Sequence, residues 1–421
     1  MKKVLIVANQ YPPAGGSGVQ RTAKFVKYLR LFGYEPIVFT KTKKNSEILD
    51  YSLLKEIPKD IKVIRSKALD TTLYKGIFKY PGKYFGRKLL IPDAEKLWQL
   101  FGRKKATYLM LNENIPLVYT TSYPYSDHLM GLYLKKHFPK IKWIADFRDE
   151  WTNNPYLLDN PYSNFRMKKE KRMEKDVLIK ADVLITNTPV MLDNFLKNNK
   201  DLDLKNKFNV IPNGYDSTDF ENTDNYTPPK NEKFTMTYTG ALYGRRKPDY
   251  FFEALKNLLD NGKINRKKIT VNLIGHYKEK LLYDKIKEYD LLGVVNIIKY
   301  LPHNECIKKL ISSDALLLIE GEGKGSDAFY TGKVFEYMIS KRPIIAMIPE
   351  NGAAAQLIRK TKAGHISGCC DIINAEKQIM TLYNVWEKYG LINFYPDMNE
   401  IQKYERKAIT KKLASLFDTM I

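Results

Sequence analysis

The stretch Lys3-Val4-Leu5-Ile6-Val7-Ala8-Asn9-Gln10-Tyr11-Pro12-Pro13-Ala14-Gly15-Gly16-Ser17-Gly18-Val19-Gln20-Arg21 sets the architecture. Residues 4–8 are apolar without alternation, as in a strand buried on both faces. Prolines and glycines then break the chain, and residues 20–32 carry apolar side chains at helical spacing. The next apolar run is 36–40. Strand, glycine-rich turn, helix and strand make a βαβ unit, which requires a parallel sheet.

Outward from this unit the alternation continues. Further strands are predicted at 61–64, 117–121, 142–145, 183–186 and 208–211. Residues 221–232, where Asn, Thr, Pro and Lys mostly replace apolar residues, read as a linker or exposed loop. The pattern then restarts with strands at 234–238, 269–274, 295–300, 315–319 and 344–347, and helices at 249–260, 278–289, 304–312 and 331–339. Two doubly wound α/β domains are expected, residues 1–212 and 213–397, with 398–421 as an amphipathic helix returning to the first.

Composition narrows the class. The chain of 421 residues is 44% hydrophobic and 28% charged, as expected of a globular protein. No run reaches the roughly 18 apolar residues that a membrane span needs, and the N-terminal apolar stretch is too short for a signal peptide. A cytoplasmic protein is expected. Cys306, Cys369 and Cys370 form neither a disulfide framework nor a zinc pattern. The net charge of +23 favours anionic partners. Nucleic acid is the weaker candidate, because no helix-turn-helix, RRM or zinc pattern is present. Residues 72–105 place nine Lys or Arg against two acids among Tyr74, Phe78, Tyr80, Tyr84, Phe85, Trp98 and Phe101. That mixture suits anionic headgroups or a lipid-linked pyrophosphate.

Four constellations can carry chemistry. The turn with Gly15 and Gly16 offers backbone N–H groups to an anion at a helix start, but it lacks the Gly-x-Gly-x-x-Gly and P-loop spacings. Thr239-Gly240-Ala241-Leu242-Tyr243-Gly244-Arg245-Arg246-Lys247 places three cations past the first strand of the second domain, where α/β sheets bind ligands. Their charge suits a diphosphate, which arginine can grip bidentately. In Gly332-Lys333-Val334-Phe335-Glu336, the lysine and the glutamate lie on one helix face. The lysine can hold phosphate and the carboxylate can accept from ribose hydroxyls; a simple helical ion pair is the alternative. In Trp143-Ile144-Ala145-Asp146-Phe147-Arg148-Asp149, the side chains Asp146, Arg148 and Asp149 are a base, a hydroxyl ligand or a structural ion-pair set. His128, at the start of a helix, is either catalytic or a packing residue. No metal ligands are expected.

These residues resemble glycosyltransferase family 4. The resemblance rests on Tyr11-Pro12-Pro13 with Gly15-Gly16, Ala181-Asp182-Val183-Leu184-Ile185-Thr186-Asn187 and Val210-Ile211-Pro212-Asn213-Gly214-Tyr215-Asp216. Gly332-Lys333-Val334-Phe335-Glu336-Tyr337 and Arg342-Pro343-Ile344-Ile345-Ala346 complete it, in the family's order over nearly the whole chain. It implies a GT-B fold, two Rossmann-like domains facing a cleft, and retaining transfer from a nucleotide sugar without an essential metal or other cofactor. It further implies that Arg245 or Arg246 with Lys333, and Lys247 as a third member, neutralise the donor diphosphate. Glu336 then binds ribose, and Gly15 and Gly16 pack against phosphate or acceptor. The resemblance does not name the acceptor; the phosphate site together with the basic, aromatic stretch 72–105 points to a glycan or lipid-linked intermediate of cell-surface polysaccharide synthesis, with residues 72–105 touching the membrane. Sugar-nucleotide 2-epimerases share the fold and are the second reading. Two positions depart from the family: Ala328 stands where a donor-sugar glutamate is common, leaving Glu320, Glu322 or Asp327 as substitutes. Asp146-Phe147-Arg148-Asp149 stands where many members have a histidine.

Overall fold

The computed structural model describes residues 1–15, 17–42, 49–68, 90–221 and 230–421. It divides into two compact units, Met1–Asn213 with Arg406–Ile421, and Gly214–Glu405.

The first unit is built on seven strands: β1 (Lys2–Val7), β2 (Tyr34–Lys41), β3 (Lys62–Ser66), β4 (Leu117–Ser122), β5 (Lys142–Phe147), β6 (Val183–Thr186) and β7 (Phe208–Val210). Their order is β3-β2-β1-β4-β5-β6-β7, and every pairing is parallel. A parallel sheet needs crossovers on both faces, and the unalternating apolar strands satisfy them. Leu5, Val7 and Val118 enter one core layer, while Val4, Ile6 and Tyr119 enter the other. Local signals place the crossovers. Thr188 caps the helix Pro189–Asn198 by accepting from the Met191 N–H at 3.0 Å, with proline in the first turn.

The tail differs from expectation. Residues 398–420 form two helices, Met398–Gln402 in the second unit and Arg406–Asp418 in the first. Ile409, Leu413 and Phe417 of the latter enter the same core layer as Phe25 and Leu29 of the helix Ser17–Leu29. Tyr34 closes the seam, edge-on to Phe417 at 5.0 Å and donating to Asp418 at 2.7 Å.

The second unit repeats the scheme with β8 (Phe234–Thr239), β9 (Ile269–Ile274), β10 (Val295–Ile298), β11 (Ala315–Ile319), β12 (Ile344–Met347) and β13 (Gly364–Ser367). The order is β10-β9-β8-β11-β12-β13, again all parallel. In both sheets the winding direction reverses beside the first strand, between β1 and β4 and between β8 and β11. Loops leave in opposite directions there, which opens a crevice at the carboxyl ends of the strands. β13, Gly-His-Ile-Ser, carries too little apolar signal to be read from the sequence.

The helix Ser126–His137 lies against β5 at Gly131, where a Cβ would sit 2.4 Å from the Trp143 indole. That indole is buried and donates to Thr120 Oγ1 at 3.0 Å. Gly131→Ala is therefore expected to cost about 1–3 kcal/mol by overpacking, read as a lower urea midpoint at unchanged slope; an unshifted midpoint would show that the helix can back away freely.

Candidate functional site

The crevice of the second unit gathers charge. β8 ends at Thr239, whose N–H is held by the Tyr337 hydroxyl at 2.8 Å, and Gly240 follows with φ +104°. An L side chain rarely adopts that backbone, and a Cβ there would lie 2.9 Å from Lys333 Nζ. The ammonium thus packs against bare backbone at the strand end, 3.9 Å from the centroid of the Tyr238 ring. Burial pushes the Lys333 pKa down to about 7, and the nearby Arg246 guanidinium adds to the fall; Glu320 and Glu336 oppose it.

Glu320 leaves the end of β11 and is buried, with Oε1 accepting no hydrogen bond. Burial raises its pKa, offset by Arg246 and Lys333. Two cations and a carboxylate therefore share the crevice between β8 and β11. Arg246 lies near enough to lower the Lys333 pKa, and its guanidinium is 5.4 Å from the centroid of the Tyr243 ring. Arg245 is turned onto the glycine loop instead, donating to the Lys324 carbonyl at 3.0 Å, and a Cβ at Gly323 would lie 2.4 Å from its Cζ. Lys247 is exposed.

Glu336, three residues after Lys333 on the helix Lys333–Ile339, pairs with His303 Nε2 at 3.0 Å. Among the described ion pairs, that carboxylate goes to the histidine and not to the lysine. At the ends of β9 and β10, His276 and the exposed Tyr300 stack with centroids 5.4 Å apart and planes 13° from parallel. Neither His303 nor this ring pair was singled out from the sequence. His276 and Tyr300 lie in loops and His303 begins a helix, and only the parallel register of the sheet brings His276 and Tyr300 to neighbouring strand ends.

In the first unit, several candidates are engaged with framework groups. Asp146 is fully buried and receives Arg21 Nε at 2.8 Å, Arg21 Nη2 at 3.0 Å, Thr121 at 3.2 Å and the Tyr119 hydroxyl. Arg21 continues to the carbonyls of Ile211 at 2.9 Å and Pro212 at 2.8 Å, tying the glycine-turn helix to the end of β7. Asp146 thus forms a buried ion pair with Arg21. Arg148 clamps backbone, donating to the carbonyls of Ser122, Gly18 and, at 2.6 Å, Tyr123. Asp149 is exposed. His128 is fully buried against Phe147, with Nδ1 2.8 Å from Thr120 Oγ1, and burial lowers its pKa to about 3. Its Nε2 is buried without a hydrogen-bond partner. Gly15 is partly buried, and Gly16 lies outside the described residues.

No protein-family model matches the sequence, nor does any curated protein. Solved structures do match. An E. coli trehalose-6-phosphate structure bound with UDP-2-fluoro glucose is similar over 100% of both chains, at 11% identity and TM-score 0.68. The lipopolysaccharide outer core galactosyltransferase WaaB, in its apo form, is similar over 100% of both chains, at 13% identity and TM-score 0.61. A UDP-N-acetylglucosamine 2-epimerase is similar over 99% of this chain and 96% of its own, at 14% identity and TM-score 0.55. The chain has the fold of GT-B glycosyltransferases, which these epimerases share.

Removing the Asp146 carboxylate would leave Arg21 buried without its counter-charge. Asp146→Ala is expected to cost about 3–5 kcal/mol, measured by urea unfolding, whereas a stable variant with lost ligand binding would return Asp146 to the functional residues.

Proposed function

We propose that the chain is a glycosyltransferase that moves a sugar, with retention of anomeric configuration, from a nucleoside-diphosphate sugar to a glycan or lipid-linked acceptor. The observation that carries this reading is the desolvated Lys333 ammonium beside Arg246 at the β8–β11 crevice. Two cations in a partly buried site repel one another and are poorly hydrated, so an anion with charge on several oxygens relieves both penalties. When the bond from the anomeric carbon to the donor phosphate oxygen breaks, negative charge grows on the leaving diphosphate. Fixed cations stabilise that charge more than the ground state. Glu336 accepts from the ribose hydroxyls, and the His276–Tyr300 rings offer a flat face to the base. With Ala328 in place of the family glutamate, Glu320 is the buried carboxylate of the crevice. No metal is assigned a role.

A membrane-facing acceptor fits one feature of the first unit. On the helix Lys96–Glu113, Phe101, Tyr108 and Leu111 are exposed beside Lys104 and Lys105. This apolar and cationic surface suits anionic headgroups. Trp98 is not part of it, being packed in the core, and Tyr74, Phe78, Tyr80, Tyr84 and Phe85 lie outside the described residues. Among the described residues no helix is long and apolar enough to cross a membrane. The epimerase likeness keeps the second reading alive. Release of nucleoside diphosphate only on adding acceptor separates transfer from epimerisation.

Thermal scanning against UDP- and GDP-sugars tests the reading. A ligand at 100 times its Kd adds about 2.7 kcal/mol of stability, and a panel without any shift would overturn it. Lys333→Ala is expected to lower kcat/KM by roughly 10²–10³.

Binding should also carry a pH signature. The unfolded chain keeps the Lys333 proton up to its ordinary pKa of 10.5, the free folded protein only to about 7. Between those values the unfolded state holds more protons, so this group's penalty on the free protein fades as pH rises. A bound diphosphate restores the proton. Nucleoside diphosphate should therefore bind with proton uptake at pH 8 and weaken as pH climbs above 7. Calorimetry in buffers of different ionisation enthalpy measures the uptake, and an observed heat independent of buffer would contradict it.

A further inference from the structure

His303 opens the helix His303–Ile311, and Pro302 before it has the extended backbone that ends the β10 connection. Its Nε2 lies 3.0 Å from Glu336 Oε1 on the helix Lys333–Ile339. Both side chains are partly exposed, 36% and 22%, so a ligand can reach the pair. Lys333 and Glu336 are three residues apart on a helix, which ordinarily favours a mutual ion pair. Here the lysine lies over Tyr238 and against Gly240, and the carboxylate is drawn to the other side.

We propose that His303 is a positioning residue for Glu336: it occupies one carboxylate oxygen and turns the other toward the donor's ribose hydroxyls. This rests on the assignment of ribose to Glu336 above. The chemistry favours it on three counts. An ionised carboxylate only accepts, so Nε2 carries the proton and the bond is charge-assisted. A carboxylate has room for about four acceptor sites, and a single donor on Oε1 leaves Oε2 for a diol. A glutamate free to sample several rotamers must be ordered on binding, at a cost in affinity; the imidazole orders it beforehand.

The test uses the full chain, with UDP, GDP and inorganic pyrophosphate as probes, by calorimetry. His303→Ala is expected to weaken the tighter-binding nucleotide roughly tenfold, the worth of one charge-assisted hydrogen bond, and to leave pyrophosphate within about twofold. His303→Gln, which keeps an N–H at similar reach, should restore most of the loss. In a Glu336→Ala background His303→Ala should cost nothing further, because its effect passes through the carboxylate. Equal losses for nucleotide and pyrophosphate, no loss at all, or an undiminished loss in the Glu336→Ala background would each overturn the proposal. If the parent binds nucleotide and Glu336→Ala weakens it while His303→Ala does not, positioning fails and the ribose assignment survives. A parent that binds neither UDP nor GDP brings down the donor-site reading and this one with it.

Discussion

The Lys333 ammonium sits where water cannot fully solvate it, against the backbone of Gly240 and the face of Tyr238, with Arg246 nearby. A cation in such a place is costly, and the surroundings are arranged to tolerate the cost. Position 240 must lack a side chain and take a left-handed backbone. Tyr337 holds the strand end through its hydroxyl. Glu320, buried one strand over, supplies opposite charge. The crevice thus holds cations whose charge the neighbouring carboxylates only partly offset.

The same sheet logic gives the two units different characters. In both, the polar ends of the central strands meet where the winding reverses. In the first unit those groups are turned on one another: Arg21 on Asp146, Arg148 on backbone carbonyls, His128 on Thr120. These networks hold the turns around the sheet end in register, at the cost of burying charge. In the second unit Lys333 and Arg246 oppose one another, and Glu320 keeps a buried oxygen without a donor. Separating the two kinds of polar residue requires partners and burial; residue type does not do it.

Much of the fold was legible in the chain because its signal is local. Unalternating apolar runs mark strands buried on both faces, and glycine or proline marks where each ends. Strands such as Val183–Thr186 and Ile344–Met347 are bounded as the pattern implies. The edge strand Gly364–Ser367 was not legible, since an edge needs few apolar residues and this one has a histidine and a serine. Likewise the tail carries one amphipathic pattern from 398 to 420, yet two units share it, and the chain breaks its helix between them. Periodicity reports a face; it does not say which core that face meets.

For the candidate site the division is similar. The sequence by itself determined that Lys333 and Glu336 share a helix face and that basic residues follow the first strand of the second unit, because spacing and order are properties of the chain. Tertiary structure alone decided that Arg245 is turned onto the Lys324 carbonyl, that His303 takes the Glu336 carboxylate, and that Asp146 pairs with Arg21. The physical reason is distance. Electrostatic pairing depends on separations of a few ångströms between residues tens or hundreds of positions apart, and the strand order of the sheets sets those separations.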